Sequence, residues 1–352
     1  MNHESGSSCG TRPGVNGIVT RNGGLMIEPL SSDGSLPLVV TPVEGRTLDG
    51  YLAAARHYAE AFLPVSGGLL FRGLPIGSVA DFESFVGGFT SSLVSYEFGS
   101  TPRSRVQRQV YTSTEYPPHQ HIPLHNEQAY TREWPMKIWF YCGQAPEEGG
   151  YTPIADSREV YRRIPACIRE HFNRKQVMYM RNYGNGLDVP WQKVFNTEDP
   201  AVVEAFCRTN GILYEWKADG ELRTRQVAQA IAVHPLTGET VWFNQAHLFH
   251  VSNLEPAVRE DLLAVVAEED LPRNACYGDG SPIESDLLDE IRDVYRRDRK
   301  STRLNSSHAG SWQEGDVMML DNMLAAHGRT PFKGRRQILV AMAEPCRAGH
   351  PC

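Results

Sequence analysis

Residues 123–128 read PLHNEQ, and residues 320–329 read LDNMLAAHGR. In the first stretch His125 and Glu127 stand two apart. On an extended segment, residues i and i+2 point to the same side. An imidazole and a carboxylate can therefore reach one ion together. In the second stretch His327 stands alone, shortly after the strand-like run Val317–Leu320. Two histidines and one carboxylate form a facial triad. Such a triad leaves adjacent coordination positions open, the pattern of non-haem Fe(II) oxygenases.

Arg336 follows His327 by nine residues and opens a candidate strand, Arg336–Met342. On that strand Arg336, Ile338 and Val340 share a face. An arginine at the mouth of a barrel suits a bidentate grip on a carboxylate. A His-x-Glu pair alone is weak, because such pairs arise by chance. The order of His-x-Glu, a distal His after a strand and then an Arg is far more specific.

The chain around these residues is rich in short strands. Leu36–Thr41, GGLLFRGLP (67–75), Val106–Thr112, Lys137–Cys142, Val317–Leu320 and Gln337–Met342 have strand composition. Ile212–Lys217 and Leu222–Val227 flank Asp219-Gly220 and predict a hairpin. Ala230–Val233 and Thr240–Asn244 predict two more strands. Helical spacing appears at Leu48–Ala61, Asp81–Phe89, Ser157–Phe172, Asp199–Asn210, Glu255–Glu269 and Ile283–Arg297. Asp199-Pro200 is a cap followed by proline at the first helical position, and Gly211 is the stop. No β-α alternation runs through the chain, which argues against a doubly wound sheet. The expected fold is mainly β with helical insertions, built on a double-stranded β-helix, or jelly-roll, core. Residues 1–24 lack periodicity and read as a disordered tail. Residues 25–352 read as a single jelly-roll domain, with helical insertions over about 157–211 and 255–297.

Composition excludes several classes. Lys+Arg 35 against Asp+Glu 42 gives a net charge of −7, with no basic block for phosphates. Nucleic acid is not an expected partner. No run approaches the ~20 apolar residues of a membrane span, and the first residues lack the apolar core of a secretory signal. Seven cysteines at irregular spacing argue against a disulfide framework and for thiols in a reducing cytoplasm.

The motifs HNEQAY (125–130), EEGGYTPIADSR (147–158), HPLTGETVWFNQAHLFH (234–250), WQEGDVMMLDNMLAAHGR (312–329) and RRQILVAM (335–342) carry a family resemblance. The chain resembles the taurine-dioxygenase-like Fe(II)/2-oxoglutarate oxygenases. The nearest branch is the one similar to the aspartyl hydroxylase of syringomycin biosynthesis, which accompanies nonribosomal peptide pathways. The resemblance runs from about GGLLFRGLP (67–75) to the end of RRQILVAM. It implies Fe(II) held by His125, Glu127 and His327, with 2-oxoglutarate as cosubstrate and O2 as oxidant. It implies that Thr152 helps Arg336 bind the cosubstrate carboxylate. It places Phe243, Asn244, Gln245 and His247 on the substrate side. Glu127 stands where halogenase relatives carry a small residue, so the resemblance implies hydroxylation. The implied substrate is an amino acid, free or tethered to a peptidyl carrier protein. Succinate and CO2 are the implied co-products.

Other readings stay open on the sequence. The same centre serves desaturation or epoxidation. A non-catalytic jelly-roll binding module would not need all five residues, and a zinc hydrolase would leave Arg336 and Thr152 without a task. His119 and His121 read as loop histidines near the mouth, and His247/His250 as a weak rival metal pair. Asp321 and Asn322 read either as groups orienting His327 or as turn residues. Residues 298–311, DRKSTRLNSSHAGS, are polar where the resemblance implies an apolar strand. They also resemble a translated sequencing-adaptor fragment, so an artefact and a surface loop are both open readings. Arg296, Arg297, Arg299 and Lys300 are the candidate basic patch for an acidic carrier.

Overall fold

The computed structural model describes residues 19–31, 34–94, 105–107, 109–113, 116–184, 186, 189–300 and 311–348. Among these residues a nine-stranded sheet dominates. In spatial order its strands are Thr20–Asn22, Leu25–Ser31, Gly34–Pro42, Gly68–Phe71, Val317–Asp321, Glu133–Gln144, Gln337–Arg347, Val110–Thr112 and Arg105–Gln107. Only Gly34–Pro42 and Gly68–Phe71 pair in parallel. A smaller antiparallel sheet faces it, ordered Ile154–Asp156, Ala325–Arg329, Ile122–His125. Two facing sheets with helical insertions make the expected jelly-roll core.

Side-chain alternation assigns the layers. In Glu133–Gln144, Ile138 and Phe140 turn inward and meet Ile154, Ala325, Met318 and Val340 between the sheets. Trp139 and Tyr141 turn outward, under the helices Leu48–Ser66 and Val79–Gly87. Phe82 stacks on Tyr141 there at 5.1 Å. Burying each large apolar side chain contributes roughly 1.5–3 kcal/mol over leaving it exposed. The small sheet alternates too. Its outward residues Leu124, Ala155 and Ala326 pack under the insertions, so its inward residues are left to face the interior.

The helix Leu48–Ser66 starts at Thr47, whose side chain accepts from the Gly50 amide, and stops at left-handed Gly67. It runs past Ala61 through Pro64, which sits in the last turn. The expected helix Ser157–Phe172 is two helices, Ser157–Arg163 and Ala166–Lys175. Pro165 divides them, because the residue before a proline is forced out of helical geometry, and Ile164 is extended. Pro200–Asn210 has the predicted Asp199 cap and Gly211 stop.

Several expectations need correction. Thr20–Asn22 is a strand paired with Leu25–Ser31, inside the stretch read as tail. Residues 1–18 lie outside the described residues. The insertions are not purely helical. Val177–Tyr183 and Arg273–Tyr277 join the hairpin Leu213–Trp216/Leu222–Ala228 in a four-stranded sheet. Glu255–Glu269 is a ten-residue helix, Pro256–Val265, followed by a 3-10 turn at Glu268–Asp270. Cys346 is disulfide-bonded, so not every cysteine is a thiol. Most of 298–311 lies outside the described residues.

A buried ion cluster ties the small sheet to the first helix. Arg158 is 3% exposed. It donates to Asp156 at 2.8 Å, to Glu239 at 2.9 Å and to the Val65 carbonyl at 3.0 Å. Arg158→Met leaves buried Asp156 without its counter-charge. The expected loss is about 3–5 kcal/mol, the range for breaking one side of a buried pair. A urea melt reads it; an unchanged midpoint would refute it.

Candidate metal centre

His125 and His327 are direct cross-strand partners in the small sheet. Their ring centroids lie 4.6 Å apart. Ile154 flanks His327 on its other side, and the Phe140 ring lies 5.0 Å from it. Glu127 follows in a turn, where Gln128 has a left-handed φ of 54°. One ligand atom from each of His125, Glu127 and His327 lies within 4.8 Å of the other two. Two imidazole nitrogens and a carboxylate oxygen on one side of a site fit ferrous iron. The donor set therefore passes the test of chemistry.

Neighbouring groups aim the donors. His125 Nδ1 lies 2.8 Å from the Pro123 carbonyl. A carbonyl only accepts, so Nδ1 carries the proton and Nε2 presents its lone pair. Asn322 Oδ1 accepts from the Glu127 amide at 2.7 Å, and its Nδ2 donates to the Glu127 carbonyl at 2.9 Å. Asn322 Nδ2 also donates to the Pro135 carbonyl at 2.8 Å. Asn126 Nδ2 answers by donating to the Asn322 carbonyl at 2.6 Å. Asn322 thus holds the Glu127 backbone rather than orienting His327. Asp321 builds the turn, accepting from the amides of Met323 and Leu324 at 3.0 and 3.1 Å. Buried His234 donates from Nε2 to Asp321 at 2.9 Å.

Glycine is required beside His327. A Cβ at Gly328 would meet the Ile122 carbonyl at 2.6 Å. The strands bulge there, between the His327 and Arg329 pairings.

A small pocket adjoins the triad, lined in part by His125, Thr152, His327, Arg329 and Arg336. Arg336 Nε donates to the Gly150 carbonyl at 3.3 Å and Nη1 to Ser113 at 3.5 Å. Gly150 has φ +66°, and a Cβ there would crowd Arg336 at 3.1 Å. Among the described residues Arg336 has no carboxylate partner. Burial, then the nearby Arg329, pushes its pKa down to about 10, still cationic at neutral pH. Thr152 is buried, and its hydroxyl oxygen accepts from Trp312 Nε1 at 3.2 Å. Its own proton is left to donate. Arg335, next along, is exposed.

The substrate-side expectations divide. Phe243 is buried against Trp134, with ring centroids 4.9 Å apart. Asn244 donates to the Ala230 carbonyl and accepts from the Ala246 amide. Gln245 donates to the Asn126 carbonyl at 2.7 Å, backing the triad. His247 lines a cavity. That cavity is ≈ 380 Å³ and lies beside the strand Ile122–His125, with His121, Leu124, Arg292, Tyr295 and Arg296 on its walls. His247 stacks on Tyr295 at 4.7 Å. Burial, then Arg292, pushes its pKa down to about 3. His250 caps the turn Val251–Asn253, accepting from Ser252 at 3.1 Å. His247 and His250 form no metal pair.

Residue reading overlooked Ser113, Trp312 and Arg329. Arg329 sits in the quoted HGR, at strand spacing from His327, and that spacing was a usable signal. Trp312 opens the quoted motif WQEGDVMMLDNMLAAHGR, whereas Ser113 comes from a distant segment and gave none.

The family model for "Taurine catabolism dioxygenase TauD, TfdA family" matches residues 35–342. The chain belongs to this dioxygenase family. It is 38% identical over 320 residues to the dapdiamide synthesis protein DdaC of Enterobacter agglomerans, covering 91% of this chain and 94% of DdaC. It is 31% identical over 333 residues to a clavaminate synthase-like protein of Arabidopsis thaliana, covering 91% and 93%. PvcB of Pseudomonas aeruginosa has a similar fold, with a TM-score of 0.52 at 13% identity over 98% of each chain. No helix among the described residues is long and apolar enough to cross a membrane.

Two outcomes follow from this geometry. Asn322→Ala frees the Glu127 backbone and is expected to weaken Fe(II) binding about 10–100-fold, as loss of an outer-shell partner does. Anaerobic Fe(II) titration of the folded variant reads it, and unchanged affinity would dismiss the clasp. His247 titrates lower in the folded chain than in the unfolded one, where the usual value is about 6.5. Between that value and about 3 the unfolded chain binds the extra proton, so stability falls as pH drops through this window. Urea midpoints measured from pH 7 to 4 should fall less steeply for His247→Phe than for the wild type.

Proposed function

We propose that this dioxygenase uses Fe(II) held by His125, Glu127 and His327, with 2-oxoglutarate and O2, to hydroxylate an unactivated C–H bond of an amino-acid substrate. One observation carries the reading. The three-residue donor set lies beside Arg336, a partly buried guanidinium without a carboxylate partner among the described residues. A hydrolytic zinc site has no use for that cation. A dicarboxylate cosubstrate does.

When bound, iron supplies O2 activation coupled to the oxidative decarboxylation of 2-oxoglutarate to succinate and CO2. The chain's residues do the rest. Arg336 and the Thr152 hydroxyl bind the distal carboxylate. His125 and His327 would hold the ion through ring nitrogens and Glu127 through a carboxylate oxygen. Glu127 fills the position that a halide would need, which favours hydroxylation. Ile338 and Phe140 wall the pocket with apolar surface and limit water.

The ≈ 380 Å³ cavity is lined by none of the three donors, so the amino-acid class of substrate rests on the family resemblance. On its wall Arg292 is paired with Asp289 at 2.8 Å and Arg296 with Asp293 at 3.2 Å, so these charges are matched within their own helix. DdaC is named for dapdiamide synthesis, which supports a role in secondary metabolism. Tethering to a peptidyl carrier protein is the finer reading. Helix Ser285–Lys300 ends in the basic run from Arg296 to Lys300, a counterpart for an acidic carrier.

The test is an anaerobic spectrum. Fe(II) and then 2-oxoglutarate added to the wild type should give a weak visible charge-transfer band. The band should vanish in His125→Ala and weaken in Arg336→Ala. A folded wild type with no band would return the chain to the binding-module reading.

A further inference from the structure

Arg329 has no task in the reading above. It is 5% exposed and lies on the strand Ala325–Arg329, two residues past His327. It lines the same pocket as Arg336. Its Nη1 donates to the Tyr116 carbonyl at 3.1 Å. Its Nη2 donates to the Pro117 and Gln120 carbonyls at 2.8 and 3.0 Å. Its Nε, also buried, has no acceptor. Among the described residues Arg329, like Arg336, has no carboxylate partner.

Phe332 lies between the two cations. Its ring centroid is 5.2 Å from the Arg329 guanidinium carbon and 5.5 Å from that of Arg336. The Phe332 amide also donates to the Pro118 carbonyl at 3.0 Å. Arg329 and Phe332 therefore clasp the backbone of residues 116–120, which leads into the strand bearing His125.

Backbone carbonyls satisfy hydrogen bonds but do not cancel charge. A buried guanidinium and a partly buried one in one small pocket repel each other and are costly to desolvate. Glu127 is committed to the metal side. An incoming dianion relieves the repulsion, and a monoanion relieves less of it.

We propose that Arg329 is a positioning and selectivity residue of the cosubstrate pocket. Its charge makes the pocket doubly cationic and so favours a dicarboxylic 2-oxo acid over a monocarboxylic one, while its carbonyl bonds fix the segment before His125. The proposal rests on the cosubstrate reading above.

The test compares two ligands of equal chain length, 2-oxoglutarate and 2-oxovalerate. Their dissociation constants are measured by anaerobic calorimetry on the Fe(II)-loaded wild type, R329Q and R329K, with circular dichroism as the check on folding. In R329Q the preference for 2-oxoglutarate should drop about tenfold or more. In R329K, which keeps the charge and loses the planar fork, the preference should stay within about threefold of wild type. Raising the salt should weaken 2-oxoglutarate more in the wild type than in R329Q. Equal weakening of both ligands in R329Q, with the preference intact, would make Arg329 a backbone clasp alone and overturn the proposal. If R329Q does not fold, R329K decides, because a collapsed preference there overturns it equally. A wild type that binds neither ligand would instead remove the cosubstrate reading itself.

Discussion

The pairing of His125 with His327 across two short strands governs the rest of the architecture. Each ring must emerge from the inner face of the small sheet, at the same level. Period-2 alternation then forces Leu124 and Ala326 outward, so the insertions must cover that face with apolar surface. The chain has to approach closely at the bulge, so only glycine fits at 328. The third donor cannot come from the same ladder. It comes from a turn, and Asn322 supplies the restraint that a turn lacks. A one-residue slip of either strand would reverse the ring beside it. The bulge and the turn at 321–324 make that slip expensive.

Charge is distributed on the same plan. Acidic groups near the core are spoken for: Asp156 by Arg158, Asp316 by Arg72 at 2.6 Å, and Asp321 by His234 and two amides. Among the described residues, the two guanidiniums of the pocket beside the triad are answered by carbonyls, a hydroxyl and an aromatic face.

Much of this was legible in the residues. His125, Glu127, His327, Thr152 and Arg336 lie together where the family resemblance led one to expect them, while residue spacing alone tied only His125 to Glu127. The hairpin at 212–227 and the capped helix at 200–210 were equally local. What was not legible depended on distant partners. Val177–Tyr183 alternates in a strand pattern, yet its role is set by pairing with Leu222–Ala228 and Arg273–Tyr277. Asn322 looks like an ordinary turn residue until the Glu127 backbone is seen against it. Asn244 and Gln245 look available for a substrate until their amides are found on backbone carbonyls. Polar residues in a motif carry no mark of whether tertiary structure has already used them.

The Asn322 clasp also has a meaning for the timing of synthesis. It joins residues 195 positions apart in the chain, as does the pairing of His125 with His327 over a similar span. Contacts of such sequence separation form late, after the loop between them has closed. The ribosome releases His125 and Glu127 long before His327 and Asn322 exist outside the tunnel. A nascent or truncated chain offers at most two of the three donors, with one of them unrestrained. The complete donor set therefore exists only once nearly the whole polypeptide is made.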